Sequence, residues 1–295
     1  VLFRSETSHE LYAGAKAMRQ HARTVKVDGP LLDTCGTGGL PWKSLNTSTA
    51  SALVIAAAGG RVAKHGNRSV PPKTGSADVL EALGVELDIT AETFRACLDE
   101  ARVGFLYARS HHSAMRHVAP VRASLGIRTI FNLLGPLSNP ANATHQILGV
   151  YDSRWLDPMA ETLLKLGIKK AWVVHGTDGI DEISISGPTE IREVSDGKIS
   201  AFQITPEDAG LGTSPLGALE GGAPEDNACA IRDLLEGRPG PFRDVVLLNA
   251  SAGLNLLGLA GDLKTGVQTA GEAIDSGRAL HTLSRLAEIS SGGHA

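Results

Sequence analysis

Four short stretches of the chain carry residues able to hold or neutralise charge. The first is DTCGTGG (33–39), which opens the longer run DTCGTGGLPWKSLNTSTA (33–50). A glycine turn between a strand and a helix can hold phosphate, because glycine reaches positive φ, lets an anion approach the backbone and leaves N–H groups directed outward near a helix N-terminus. Neither familiar version is met: a Walker loop needs glycine where Thr37 and Trp42 stand, and the dinucleotide fingerprint needs glycine at Pro41 and an acid about twenty residues on. A phosphate cradle and a bare structural turn therefore both stand as readings. The second stretch, Asn46-Thr47-Ser48-Thr49, falls where the next helix begins. Asn46 or Ser48 could cap that helix, or the hydroxyls could hold a phosphate or a metal bridging to it.

The third stretch, Lys64-His65-Gly66-Asn67-Arg68-Ser69, reads as a loop after a strand, with two cations and several amide or hydroxyl donors around one glycine. That mixture suits a multiply charged anion such as a diphosphate, though a solvated loop has the same composition. The fourth, His175-Gly-Thr-Asp-Gly-Ile-Asp181-Glu182, places adjacent acids near a strand end. Hard oxygen ligands of this kind suit Mg²⁺ bound together with substrate phosphates; the alternative is an acidic turn. His111, His112 and His117 lack the i, i+4 spacing of a zinc helix and have no acid beside them, so they read as substrate-pocket or surface histidines. No Ser-His-Asp, Cys-His or zinc spacing is evident.

The bulk composition bounds what these stretches can serve. Lys and Arg number 28 against 32 Asp and Glu, a net charge of −4, and the isoelectric point is about 6.2. There is no broad basic field for nucleic acid or anionic membrane, so an anionic ligand must be held by local groups. Three scattered cysteines, Cys35, Cys97 and Cys229, fit neither a disulfide framework nor a zinc site. The most apolar run, ALVIAAAGG (52–60), is about half of a membrane span, and the start VLFRS lacks the features of a secretory signal. A soluble, cytoplasmic protein is expected. The initial Val in place of Met suggests that the natural sequence begins earlier.

The elements that would position these residues alternate along the chain. Leu11, Ala15 and Met18 recur at helical spacing, giving an amphipathic helix in the first 25 residues. After Gly29-Pro30 the expected order is strand 31–33, helix 48–58, strand 61–64, helices 76–83 and 91–101, strand 105–107 and strand 171–174. Residues 112–134 are apolar but irregular, 184–202 reads as an antiparallel hairpin with an Asp-Gly turn, and 249–289 as packed helices. Alternation of this kind predicts an α/β fold with a mostly parallel sheet and ligands at the strand ends.

The blocks GTGG, N-x-S-T, KHGNRSV, GSADVLEALGV, AMRHVAPVRASLGIRTIFNLLGPLSNPA and HGTDGIDEIS, in this order, resemble the anthranilate phosphoribosyltransferase family from about Ala13 to Ala287. The resemblance implies a large α/β domain at 28–295 and a small helical domain. Of the latter, residues 1–27 are a shortened remnant joined by helices from about 111–135. It implies transfer of the phosphoribosyl group of 5-phosphoribosyl 1-diphosphate to the amine of anthranilate, in tryptophan biosynthesis. Two Mg²⁺ ions would sit at Ser48, Asp181 and Glu182, one of them bridging the diphosphate. Gly36, Gly39, Leu40, Ser44, Asn46, Ser48, Thr49, the loop Lys64, His65, Gly66, Asn67, Arg68 and Ser69 through Pro72, and Ser76 would surround the phosphoribosyl diphosphate. Gly36, His65, Asn67, His117 and Arg122 would serve anthranilate, with the stretch from His112 to His117 along its path; Lys64, Asn67 and Arg122 would be catalytic. A homodimer through the helical part is implied.

Three departures accompany the match. Leu40-Pro41-Trp42-Lys43 replaces the family's usual acid and glycines, Pro71-Pro72 replaces two serines, and some forty residues of N-terminal helix are missing. Lys43 could offset the lost donors by adding charge beside the diphosphate. Two other readings stand beside this one: a pyrimidine nucleoside phosphorylase-like enzyme of the same fold, against which the paired acids and Arg122 argue, and a non-catalytic nucleic-acid-binding relative, which the charge balance disfavours.

Overall fold

The computed structural model of the chain describes residues 6–38, 42–69 and 74–292. Its frame is a seven-stranded sheet in the order β3-β2-β1-β4-β5-β6-β7. The strands are β1 (Leu32–Gly36), β2 (Val62–Gly66), β3 (Val103–Tyr107), β4 (His145–Gly149), β5 (Lys170–Gly176), β6 (Thr189–Ser195) and β7 (Lys198–Ile204). The first five are parallel, and β6 and β7 continue antiparallel from β5. The expected α/β fold is therefore the one observed.

Among the described residues, twelve α-helices surround the sheet: α1 (Ser8–Gln20), α2 (Thr47–Ala57), α3 (Ser76–Ala82), α4 (Ala91–Ala96), α5 (Ala108–His111), α6 (Ala119–Leu125), α7 (Phe131–Leu134), α8 (Leu156–Lys165), α9 (Pro224–Leu235), α10 (Pro241–Leu256), α11 (Leu263–Asp275) and α12 (Arg278–Ser290). The helix expected at 91–101 starts as α4 and finishes as a π-turn at Cys97–Ala101. Residues 112–134 break into short pieces, as their Pro and Gly punctuation suggested.

Side chains of a strand alternate between faces, and each face has its own core. Leu32, Val62, Trp172 and Val174 pack with α2, α10 and α12 on one side. Ala171 and Val173 pack on the other side with Leu11 and Ala15 of α1 and with Leu156, Met159 and Leu163 of α8. Further along that second face, Ala63 and Leu106 meet Phe94 and Leu98. Helix α1 opens with a reciprocal capping box between Thr7 and Glu10, and its Ser8 hydroxyl donates to Glu161 on α8 at 2.5 Å.

Several strands run further than the sequence suggested. β2 continues past the expected end at Lys64 through His65 and Gly66, because those residues pair in register with Leu106 and Tyr107 of β3. What read as a polar loop is thus the end of a central strand. β5 likewise takes in His175 and Gly176. The hairpin β6–β7 is as expected, turning at Asp196 and Gly197, both with positive φ, as a two-residue type I′ turn requires. Strand β4 is not among the strands expected from the sequence. It lies beside β1, where connections lead away in opposite directions and a crevice opens at the strand ends.

At the end of β4, a Cβ added to Gly149 would stand 1.6 Å from the backbone oxygen of Asp181. Only glycine lets the β5–β6 connection cross there. Gly149→Ala should cost about 1–3 kcal/mol, the usual range for overpacking a core. Urea unfolding of parent and variant measures it, and an unchanged midpoint would show that the crossing relaxes freely.

Candidate active site

A cavity of about 290 Å³ opens outside the ends of β1, β2 and β4. Thr34, Cys35 and Gly36 of β1, Lys64, His65 and Gly66 of β2, and Ile147 and Gly149 of β4 line it, together with Ser44, Asn46, Ser48, Ser51, Asn67, Ser69, Ser76, Asp181 and Glu182.

The alternation of β2 assigns its two polar side chains to different neighbours. Lys64 shares the face of Val62 and meets α2, its ammonium donating to Thr34 O at 2.6 Å and to Ser48 Oγ at 3.1 Å. Burial holds its pKa below the ordinary lysine value, opposed by Asp33 and Glu182. His65 points to the other face and meets His112 edge-on, with ring centroids 5.2 Å apart. Both rings are buried, and Nε2 of each has no partner. Burial, reinforced by neighbouring imidazoles, pushes His65 down to about 3 and His112 to about 4. Both are therefore neutral at physiological pH.

The acids are placed by backbone contacts. Asp181 Oδ2 accepts the Gly38 N–H at 2.7 Å, and a Cβ on Gly36 would lie 2.5 Å from that same oxygen. Gly38 has φ +66°, which suits it to turning its N–H toward the acid. Glu182 Oε1 accepts the Ser48 N–H at 3.1 Å. Burial, with the charge of Asp181 added, raises Glu182 to about 8, and burial likewise raises Asp181. Among the described residues no three His, Cys, Asp or Glu side chains converge on a metal cage. Two adjacent carboxylates resisting ionisation beside an open cavity are instead the donor set that a hard dication relieves, with the remaining ligands coming from substrate oxygen or water.

The capping readings of the second stretch do not hold. Asn46 precedes α2 but makes no side-chain cap bond; its amide is spent on Thr74 and Asn227. Ser48 lies inside the helix. It faces the cavity with Ser51, as i, i+3 neighbours do, whereas Thr49 is turned away. The hydroxyl of Thr49 is buried without a partner and borders a separate, much smaller cleft beside Lys64 and Leu80. The Thr49 side chain therefore does not border the main cavity.

Two further assignments change. Arg68 borders the cavity, but its guanidinium is held by both oxygens of Glu81 at 2.8 Å and by Asp78 at 3.1 Å, so it fastens the loop to α3. His117 is exposed and receives a bond from Arg116; the imidazole on the wall of the main cavity is His65, with His112 packed against it. Lys43 is also exposed and does not line the cavity, whereas Trp42 does and packs on the core beneath. Gly39, Leu40, Pro41, Pro71 and Pro72 lie outside the described residues.

A second, apolar cavity of about 160 Å³ lies behind His112, lined also by Met18, Met115, Val118 and Phe131. Arg122 lines neither cavity. It sits half-buried over the Phe131 ring at 5.7 Å, and its Nη2 donates to Asn132 at 3.4 Å.

Residues not singled out from sequence also contribute. Asn249 on α10 lines the main cavity and grips the peptide of Ile183, accepting its N–H at 3.1 Å and donating to its carbonyl at 2.9 Å. This fixes the backbone next to Glu182. The Nδ1 of His175 lies 2.7 Å from Val150 O, so that nitrogen carries the proton.

The neutral histidines generate a pH prediction. A histidine whose folded pKa lies below its unfolded value supports the fold above about pH 6.5, and that support is lost as pH falls toward the folded value. Between pH 6.5 and 5 the pair should contribute a loss on the order of 2–4 kcal/mol, at about 1.4 kcal/mol per histidine per pH unit. Chemical unfolding of parent and His112→Gln across this range should show a shallower pH slope in the variant; equal slopes would contradict the assignment.

The chain matches the family described as "Glycosyl transferase family, a/b domain" over residues 28–280. It is 69% identical over 287 residues to the anthranilate phosphoribosyltransferase of Hyphomonas neptunium, covering 97% of this chain and 84% of the relative. It is 52% identical over 289 residues to that of Parvibaculum lavamentivorans, covering 98% and 85%. Among solved structures, the anthranilate phosphoribosyltransferase of Thermus thermophilus superposes with a TM-score of 0.91 at 49% identity, covering 98% of this chain and 87% of that one. The Saccharomyces cerevisiae enzyme, solved in complex with PRPP and Mg, gives 0.89 at 29% identity, covering 97% and 80%. A fold whose switch point carries paired acids and a buried lysine, together with likeness over nearly its whole length, places the chain in the glycosyl transferase family and, within it, among the anthranilate phosphoribosyltransferases.

Proposed function

We propose that the chain transfers the phosphoribosyl group of 5-phosphoribosyl 1-diphosphate to the amine of anthranilate, releasing diphosphate, as a step of tryptophan biosynthesis. The observation that carries this reading is the meeting of two unlike cavities at the His65–His112 pair. One is polar and offers a lysine, the N-terminus of α2 and two carboxylates; the other is apolar and of a size for a small aromatic acid. Related structures support it: the yeast enzyme was solved with PRPP and Mg and also with 4-fluoroanthranilate.

An aniline nitrogen is already nucleophilic at neutral pH, so the chain need not supply a nucleophile or form a covalent intermediate. The C1–oxygen bond breaks with its electron pair leaving on diphosphate, the amine forms the new bond to C1, and its proton passes to water. The demand on the protein is electrostatic, since charge grows on the leaving group while the ribose becomes oxocarbenium-like. Lys64, beside the first turn of α2, faces that charge. Asp181 and Glu182, with Ser48 beside them, would hold two Mg²⁺ ions, which supply Lewis-acid neutralisation of the diphosphate. Asn67, Ser69 and Ser76 offer further donors along the cavity wall. Arg122 would grip the anthranilate carboxylate and aim the amine at C1, removing orientational entropy from the step.

Residues 1–27 and about 111–135 form the helical part of this reading, through which two copies would pair. The exposed Val121, Leu125 and Ile127 on and after α6 support that, being the apolar surface a second copy would cover. Cys35, Cys97 and Cys229 are free, which suits a reducing cytoplasm as the place of action. Among the described residues no helix is long and apolar enough to cross a membrane.

Loss of anthranilate fluorescence on adding phosphoribosyl diphosphate and Mg²⁺ tests the activity directly. Asp181→Ala should lose turnover by more than about 100-fold if the metal carries the leaving-group charge. Arg122→Ala should raise KM for anthranilate by ~10- to 100-fold, since a hydrogen bond to a charged group contributes about 1.5–3 kcal/mol. KM for phosphoribosyl diphosphate should stay within about twofold. A parent without turnover sinks the reading, and equal losses for both substrates would remove Arg122 from its role. Sedimentation velocity should show a dimer that Val121→Glu with Ile127→Glu dissociates; identical profiles would count against pairing through this face.

A further inference from the structure

We infer that Asn227, which lies outside the main cavity, is a positioning residue that sets the geometry of the phosphoribosyl-diphosphate loops. It lies in the first turn of α9 and is completely buried. Its Nδ2 donates to Ser44 O at 3.1 Å and to Asn46 Oδ1 at 2.9 Å, and its Oδ1 accepts the Gly222 N–H at 2.8 Å. Asn46 passes the connection on, its Nδ2 donating to Thr74 O at 3.1 Å. Thr74 closes it, its hydroxyl donating to Gly222 O at 2.9 Å. The result is a closed ring of hydrogen bonds through Asn227, Asn46, Thr74 and Gly222.

Ser44, Asn46 and Thr74 line the main cavity, whereas Asn227 and Gly222 do not. The ring thus joins the loop that follows β1 to the loop that follows β2 from behind, through a segment that takes no part in the sheet. Backbone bonds reinforce the join: Leu45 N–H to Leu219 O at 2.9 Å, and Gly221 N–H to Lys43 O at 3.1 Å. Gly221 is held to glycine, since a Cβ there would stand 2.5 Å from the carbonyl of Ser44. The orientation of the Asn227 amide follows from its partners. Reversed, it would set an oxygen against two acceptors and an NH₂ against an N–H donor. A buried amide with every neighbour complementary specifies one arrangement of the groups it joins.

The inference rests on reading the main cavity as the phosphoribosyl-diphosphate site. Asn227→Asp keeps the shape but removes both donors and faces a carboxylate toward Ser44 O and Asn46 Oδ1. Steady-state kinetics of the parent and of Asn227→Asp and Asn227→Ala, by the fluorescence assay, test it, with thermal unfolding run alongside. For both variants KM for phosphoribosyl diphosphate should rise by ~10- to 100-fold, while KM for anthranilate moves less than about twofold. Asn46→Ala combined with Asn227→Ala should be little worse than either alone, because opening the ring once releases both loops. Should the variants unfold at assay temperature, Thr74→Val replaces them: it removes the hydroxyl that closes the ring onto Gly222 O and shows the same selective rise. Equal rises for both substrates, or additive losses in the double variant, would overturn the positioning role. An inactive parent would overturn the reading of the cavity instead.

Discussion

Helix α2 begins without a cap of its own, and the vacancy is taken by an acid from another part of the chain. Glu182, carried on the connection after β5, accepts the Ser48 N–H in the first turn of α2. The positive end of the helix and the backbone donor make this one of few places where a half-buried carboxylate can be accommodated. The contact fixes the distance between the acids and the helix terminus, so groups suited to a cation and groups suited to an anion come to border one cavity. Asn249 holds the following peptide, Gly38 holds Asp181, and Gly149 and Gly36 leave room for the crossing.

The sheet then divides the chemistry by face. Because successive residues of β2 point in opposite directions, Lys64 joins the helix terminus while His65 joins His112 on the far side. Asp33 links the two: its carboxylate, itself pushed up by burial, accepts the His65 N–H at 3.0 Å and lies within electrostatic reach of Lys64. One dipeptide therefore contributes a cation to the polar cavity and a neutral ring to the boundary with the apolar one. Moving the register of β2 by a single residue would exchange them.

Much of this was legible in the sequence, but unevenly. Period and punctuation gave the alternating strands and helices, and adjacent acids near a strand end gave Asp181 and Glu182. Strand β4 escaped because five wholly buried residues of mixed type, HQILG, show no alternation. The extent of β2 escaped because His65 and Gly66 look like loop residues until β3 supplies their partners. Arg68 and Thr49 show a different limit: residue type announces the capacity to bind an anion, but α3 claims the guanidinium and helix phase turns the hydroxyl away. Asn249 and Asn227 had no local signal, since each acts on backbone more than sixty residues distant in sequence.

Hydrogen-bonding capacity separates the scaffold of the site from its reagents. Asn227 and Arg68 have committed their polar atoms within the protein, and neither aims a free group into the cavity. His65 and His112 keep a buried nitrogen without a partner, and Glu182 is held where its own ionisation is opposed. An unmade hydrogen bond costs about 1–3 kcal/mol when the group is buried, so each such nitrogen carries a local penalty. That penalty falls on the cavity wall and at the boundary between the two cavities, where a ligand can relieve it. Thr49 and Thr129 also have buried hydroxyls without partners, and no cavity of the main site reaches them; an unsatisfied group marks a reagent only where it also faces space that a ligand can fill.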